Sequence, residues 1–406
     1  MKVLPYLCAG FLAISFVGLK LYREIPMGKG IYADLSNINT LLETPLVGST
    51  SDTYYYLISA YGYYKNLLPI LEINGEKHFV SLRFLSSWVF VPFMWIFKGY
   101  FPIAYMVFFT FAFMLLLVLL LEKLKVKPQI AILTIFLISP TVFYHLPRLM
   151  LDGPTAILII LFLILFFNGK LKLSLLPLTL AGFIRGEIAV ISVIFGIYII
   201  LKVRKLLPLI TFLPILVQIS TNLYLGDQSN FYYWTHRVYL ENFRKVRYSD
   251  ENVLRCVQEK LGFVPPKILQ ITHPYLKIKT DCGREELKKE IKPQDFVFAL
   301  KQIVLNFVSF LTYFPTRLLK YIPKPFHAFY LLYTTLAIIS TFFYIFKGFR
   351  VLLVLYFSLM IIYSLYNPFG PSDVSRFKIM LIPFEATFIA SLLSVYLFPS
   401  SKPLRP

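Results

Sequence analysis

Two carboxylates and two guanidiniums, Asp52, Asp152, Arg185 and Arg376, stand where long apolar runs begin or end. A carboxylate can take the proton from an acceptor hydroxyl if its pKa and distance permit. Guanidiniums hold an anionic leaving group, most naturally a phosphate, through paired charge-assisted hydrogen bonds. The set suits transfer of a group away from phosphate. A phosphate already at a membrane interface implies a lipid-borne donor.

Asp52 lies in Ser51-Asp52-Thr53-Tyr54-Tyr55-Tyr56-Leu57-Ile58-Ser59-Ala60. An acid in the first turn of a helix suits the positive end of the dipole, and Ser or Thr beside it can cap. The tyrosines fit a helix whose rings straddle hydrocarbon and headgroups. Glu187, Tyr55, Arg83 and Arg148 are further candidates for contact with substrate. Arg83 and Arg148 read first as interface anchors, and Glu187 can also pair with Arg185.

The elements that must position these groups are membrane helices. Of 406 residues 57% are hydrophobic and only 15% charged, whereas soluble domains are nearer 45–50% apolar. Lys and Arg total 41 against 21 Asp and Glu, a formal charge of +20. The basic residues are scattered in small clusters between apolar runs, which points to cytoplasmic flanks and anionic headgroups rather than nucleic acid. No CxxC or Cys/His pattern suggests a metal site. Cys256 and Cys282 share a large polar segment and can pair if it faces an oxidising compartment. The N-terminal run, 3–21, reads as a retained helix rather than a cleaved signal peptide, because no small-x-small site follows it.

Charge decides the topology. If 79–97 lies in the outer interface rather than spanning, Lys123, Lys125, Lys127, Lys170, Lys172, Lys202, Arg204, Lys205, Lys347, Arg350, Lys402 and Arg405 all fall inside. The runs 171–184 and 188–201 are each about 21 Å as helix, short of a hydrocarbon core of about 30 Å. Arg185-Gly186-Glu187 between them therefore lies at or below the outer interface, where charge is costly and marks function. The expected fold is an all-α polytopic membrane protein of about ten spans. Residues 1–225 form a membrane catalytic module with a first outer loop, 23–100, that contains interfacial helices. An outer loop with an amphipathic interfacial helix follows at 226–325, and C-terminal spans at 326–406. Asp52, Asp152, Arg185, Glu187 and Arg376 then share the outer face of a multi-pass protein of the plasma or inner membrane.

Taken together, four features resemble the GT-C superfamily of integral-membrane glycosyltransferases, nearest in order and spacing to aminoarabinose and protein O-mannosyltransferases. They are the acidic, Tyr-rich helix at Asp52; Leu82-Arg83-Phe84-Leu85 with Pro92; Leu151-Asp152-Gly153-Pro154 followed by Ile184-Arg185-Gly186-Glu187; and Ser375-Arg376-Phe377 with Pro383-Phe384. The resemblance covers the first two hundred residues or so, and the C-terminal half matches only in style.

The resemblance implies Asp52 as the acid that activates the acceptor and Asp152 as a second acid. It implies Arg185 and Arg376 on the donor phosphate, and inverting transfer of a monosaccharide from a polyprenyl-phosphate donor. The acceptor would be a glycan, lipid or protein. The chain departs from the family pattern in having Ser51 and Thr53, not a second acid, beside Asp52. It also lacks a WWDYG-like motif, which disfavours an oligosaccharide donor and favours transfer without a divalent metal or other cofactor. The rival reading is a transporter or lipid flippase with a charged path at Arg185 and Glu187. A third is a non-catalytic assembly or sensor protein.

Overall fold

A computed structural model describes residues 3–24, 31–43, 51–73, 75–80, 84–203, 207–224, 251–263, 272, 275–287, 292–312, 324–347, 350–366 and 371–397. The side chains of some residues within these segments, Asp52, His145 and Arg376 among them, lie outside that description. Arg83 lies outside it altogether.

The described chain is helical apart from one hairpin. In order it forms α1 (Leu4–Glu24), α2 (Ile38–Glu43), α3 (Ser51–Asn66), β1 (Ile70–Ile73), β2 (Glu76–Phe79), α4 (Phe84–Ser87), α5 (Val91–Phe97) and α6 (Phe101–Lys123). Then follow α7 (Pro128–His145), α8 (Asp152–Phe167), α9 (Leu171–Ile184), α10 (Gly186–Val203) and α11 (Leu213–Tyr224). The last are α12 (Glu251–Leu261), α13 (Tyr275–Leu287), α14 (Pro293–Thr312), α15 (Lys324–Lys347), α16 (Arg350–Tyr366) and α17 (Pro371–Leu397). Among the described residues, four helical stretches are long and apolar enough to cross a membrane: Leu4–Tyr22, Leu85–Lys123, Pro293–Leu311 and Phe377–Leu397. Shorter apolar helices lie between them, and the whole is compatible with a membrane-embedded protein.

Two compact units divide the chain. One contains residues 1–29, 103–214 and 306–406; the other contains 30–102 and 215–305. In the first, α17 packs against α7, α8, α15 and α16. Its hydrophobic window is 78% buried, against 17% for Pro293–Leu311, so α17 is the central helix of this unit. Small residues permit that role: Ala386 and Ala390 are fully buried and Ser391 nearly so. Helices in a membrane approach closely only where side chains are small. By contrast α1 exposes Leu7, Phe11 and Ile14, a face suited to lipid.

The second unit gathers parts of both large polar segments. Helix α3 crosses so close to β1 that a Cβ on Gly62 would stand 2.9 Å from the Ile70 nitrogen, so only glycine fits. The Tyr61 hydroxyl donates to the Ser36 carbonyl at 3.1 Å, and the Tyr56 ring stacks near Phe90. Burial pushes the Tyr63 phenol up to about 12 and also raises Tyr61, so both stay neutral and neither acts as a base near pH 7. The hairpin pairs Ile70 with Phe79 and Ile73 with Glu76, and its loop carries Gly75 at φ +82°. Asn74-Gly75 is the dipeptide that such a tight turn favours.

The expected single interfacial helix over 79–97 takes a different form. Phe79 ends β2, and the helical part is α4, a 3-10 turn and the seven-residue α5. Pro92 sits in the first turn of α5, the one place a helix accepts it. Lys98, at φ 47° and ψ −127°, then separates α5 from α6, which at 23 residues is about 34 Å long, enough to cross a hydrocarbon core of about 30 Å.

Within this unit Val80 bridges Thr272, and the His78 and Tyr275 rings lie 6.5 Å apart, so the first polar loop touches the second. Cys256 on α12 and Cys282 on α13 form a disulfide. Disulfides persist in oxidising compartments. Alkylation of the unreduced protein is therefore expected to modify Cys8 alone, the free cysteine of the three, and reductant to expose all three. With the cysteines 26 positions apart, loss of the bridge is expected to cost about 3–4 kcal/mol. Mass spectrometry and thermal unfolding with and without reductant check both.

Candidate functional site

The site is built where α8, α9, α10 and α17 meet in the first unit. The chain enters through a turn tied down by its backbone: the Arg148 N–H donates to the Leu146 carbonyl, and the Met150 N–H to the Arg148 carbonyl. The Tyr105 hydroxyl of α6 donates to the Met150 carbonyl at 2.8 Å. Asp152 then opens α8, with Pro154 in the first turn, where its missing N–H costs nothing. Only 1% of Asp152 is accessible.

Arg185 is the break between α9 and α10. Its backbone is extended, at φ −135° and ψ 119°. Its N–H donates to the Ala181 carbonyl at 2.8 Å, closing α9, while its carbonyl accepts the Ile188 and Ala189 N–H groups, opening α10. The two helices meet tightly here, since a Cβ on Gly182 would lie 3.0 Å from the Ala189 Cα. Helix α9 has 14 residues, about 21 Å, shorter than a hydrocarbon core of about 30 Å.

The side chains converge. The Arg185 guanidinium, 2% accessible, donates to the Asp152 carboxylate. Glu187, in the first turn of α10, lies 3.7 Å from Arg185 Nη1, beyond hydrogen-bond range but within ion-pair range. At 14% its side chain is the most open of the three. The Arg185 guanidinium carbon also lies 5.3 Å over the ring of Phe377 on α17. Of the residues expected to meet, Asp152, Arg185 and Glu187 do so. Arg376 directly precedes Phe377 in α17, and its side chain lies outside the described residues. Asp52 is the second residue of α3 in the other unit, with half-buried Tyr55 on the same helix, and the Asp52 side chain is likewise outside the described residues. Arg148 is half-buried.

No protein-family model, curated protein or solved structure matches the chain.

A second buried constellation escaped the sequence reading. Lys378 and Glu385 of α17 are 1% and 0% accessible, and the Lys378 ammonium lies 2.5 Å from the Glu385 carboxylate. Glu385 also accepts the hydroxyls of Tyr333 on α15 and Tyr356 on α16. Lys378 donates in addition to the Phe310 carbonyl in the last turn of α14, at 2.8 Å. The signal was present. Lys378 and Glu385 are the charged residues of the run Phe377–Leu397, spaced by seven and therefore on one helix face. Among the described residues no group of three or more His, Cys, Asp or Glu side chains is placed to hold a metal ion.

Proposed function

We propose that the protein is an inverting membrane glycosyltransferase of GT-C type, with about ten spans, that takes a monosaccharide from a polyprenyl phosphate on the non-cytosolic face. The observation that carries this reading is a guanidinium held between carboxylates at a helix break too shallow to be a full crossing. Charge at that depth defaults to function. The disulfide and the contact between the two polar loops support a shared, oxidising, non-cytosolic side for both.

In the proposed reaction Asp52 takes the proton of an acceptor hydroxyl, whose oxygen bonds to the anomeric carbon. The bond from that carbon to the phosphate oxygen breaks, and polyprenyl phosphate leaves as the anion. Arg185 and Arg376 hold that anion. Asp152, engaged by Arg185, orients the guanidinium in this scheme. One guanidinium between two carboxylates leaves the cluster formally negative, so a second cation is required, the role assigned to Arg376. Charge on the leaving group is then met by guanidiniums, and the scheme requires no divalent metal.

Glu187 competes for the same guanidinium. Glu187→Gln is therefore expected to tighten binding of a polyprenyl phosphate several-fold, since an ion pair with partial burial is worth about 1 kcal/mol. Titration of the purified protein with that lipid measures it.

The defining assay incubates purified protein with radiolabelled polyprenyl-phosphate sugars and a membrane extract as acceptor. Labelled product with inverted anomeric configuration supports the reading. A folded protein that transfers no sugar from any such donor overturns it. The ion pair of Lys378 and Glu385, buried within an apolar helix, favours the second reading, a transporter or flippase, because such pairs also mark transport paths. Movement of intact lipid-linked sugar across proteoliposomes, without cleavage, would select that alternative.

A further inference from the structure

We propose that Phe377 is the positioning residue for the Arg185 guanidinium, holding it ready for the phosphate of a lipid-borne group, while Lys378 and Glu385 hold Phe377 in place. The inference rests on Arg185 as an anion ligand, the reading made above.

An arginine side chain has several rotatable bonds, and carboxylates at the edge of the planar guanidinium do not by themselves fix its tilt. Asp152 supplies one partner, on α8. The Phe377 ring supplies a flat, electron-rich face on α17, with the guanidinium carbon 5.3 Å from its centre. Arg is the cation best suited to lie on such a face. The ring is itself fixed. Tyr363 of α16 stacks on it with centroids 4.4 Å apart and planes 11° from parallel. The Tyr363 hydroxyl reaches the Met380 sulfur at 2.9 Å, one turn further along α17. Phe377 is 9% accessible, so it has little room to turn away.

The residue after Phe377 secures the helix. Lys378 ties α17 to the last turn of α14 through the Phe310 carbonyl, and Glu385 ties it to α15 and α16 through two phenols. Neighbouring residues on a helix project about 100° apart. Fixing Lys378 on its bundle-facing side therefore sets the angle at which Phe377 meets Arg185. A central helix tied to three others gives the anion site a rigid floor.

The test uses the full-length protein in lipid nanodiscs. A short-chain polyprenyl phosphate is the probe, and the corresponding polyprenol, which lacks the phosphate, is the control; native mass spectrometry reads both. Wild type is expected to prefer the phosphate and Arg185→Ala to lose that preference. Phe377→Tyr keeps the ring and is expected to bind within about twofold of wild type. Phe377→Leu loses the aromatic face and is expected to bind the phosphate about tenfold more weakly, with polyprenol binding unchanged and the protein still folded.

If Phe377→Leu does not fold, Tyr363→Leu, which removes the backing ring, carries the same expectation. Wild-type preference in the folded leucine variant, alongside its loss in Arg185→Ala, overturns the role of Phe377 and leaves the anion site standing. No preference in the wild type itself removes the anion-site reading, and this inference with it.

Discussion

Asp52→Asn is expected to slow sugar transfer by about 10²–10⁴-fold, the usual contribution of a positioned general base. The substitution keeps size and shape while removing the proton acceptor. Asp52 is the second residue of α3, and asparagine is tolerated at a helix start, so folding is expected to survive. Helix α3 is anchored by other residues: Gly62 against β1, Tyr61 on the Ser36 carbonyl, and buried Tyr56, Leu57 and Ile58. Single-turnover transfer at saturating donor isolates the chemical step from binding. Donor affinity should remain near that of wild type, because the phosphate is assigned to arginines. Near-normal transfer in a folded Asp52→Asn protein removes the residue from the mechanism. A loss confined to donor affinity would make it a binding group instead.

The second large effect concerns the core of the bundle. Glu385→Leu is expected to destabilise the protein by about 3–5 kcal/mol, because it strands the Lys378 ammonium in an apolar interior. Hydrogen bonds between membrane helices average about 0.6 kcal/mol each, so the two phenols that lose their acceptor add less than the stranded charge. The double variant Lys378→Met with Glu385→Gln removes both charges, keeps an oxygen for the tyrosines, and is expected to recover most of the loss. Thermal unfolding in detergent compares the three proteins. A Glu385→Leu variant as stable as wild type would mean that this cluster does not hold the four helices together. Equal losses in the single and double variants would assign the cost to packing rather than charge.

The two effects separate chemistry from architecture. Asp52 belongs to a tyrosine-rich helix of the second unit, and its loss is read in turnover. Glu385 lies on the central helix, where Tyr333, Tyr356 and Lys378 meet, and its loss is read in stability.

Much of this was legible from local pattern. The limits of α9, Leu171–Ile184, follow from a mainly apolar run, with Lys172 near its start, between Lys170 and Arg185. The break at Arg185 falls where the sequence puts it, between the runs 171–184 and 188–201, although α10 extends over 18 residues, about 27 Å, rather than the 21 Å expected. Less was read than was there in two places. The hairpin around Asn74-Gly75 hides in a loop that its charges mark as polar, although the strands flank a favoured turn dipeptide. Lys378 and Glu385 vanish in a strongly apolar average, although an acid inside a spanning run is a warning in itself.

Composition, apolar run length and the distribution of Lys and Arg determined that the chain is helical and suited to a membrane, and that a break falls at Arg185. These are local properties, set by a few residues and the thickness of a bilayer. Only the tertiary structure decided that Asp152 meets Arg185, that Phe377 lies beneath it, that Glu385 gathers two tyrosines and a lysine, and that Cys256 joins Cys282. All but the Lys378–Glu385 pair, seven residues apart on one helix, join residues distant in the chain. Helix periodicity shows which face is apolar but not which distant helix will cover it, and that choice is made by how side chains from many segments fill one interior.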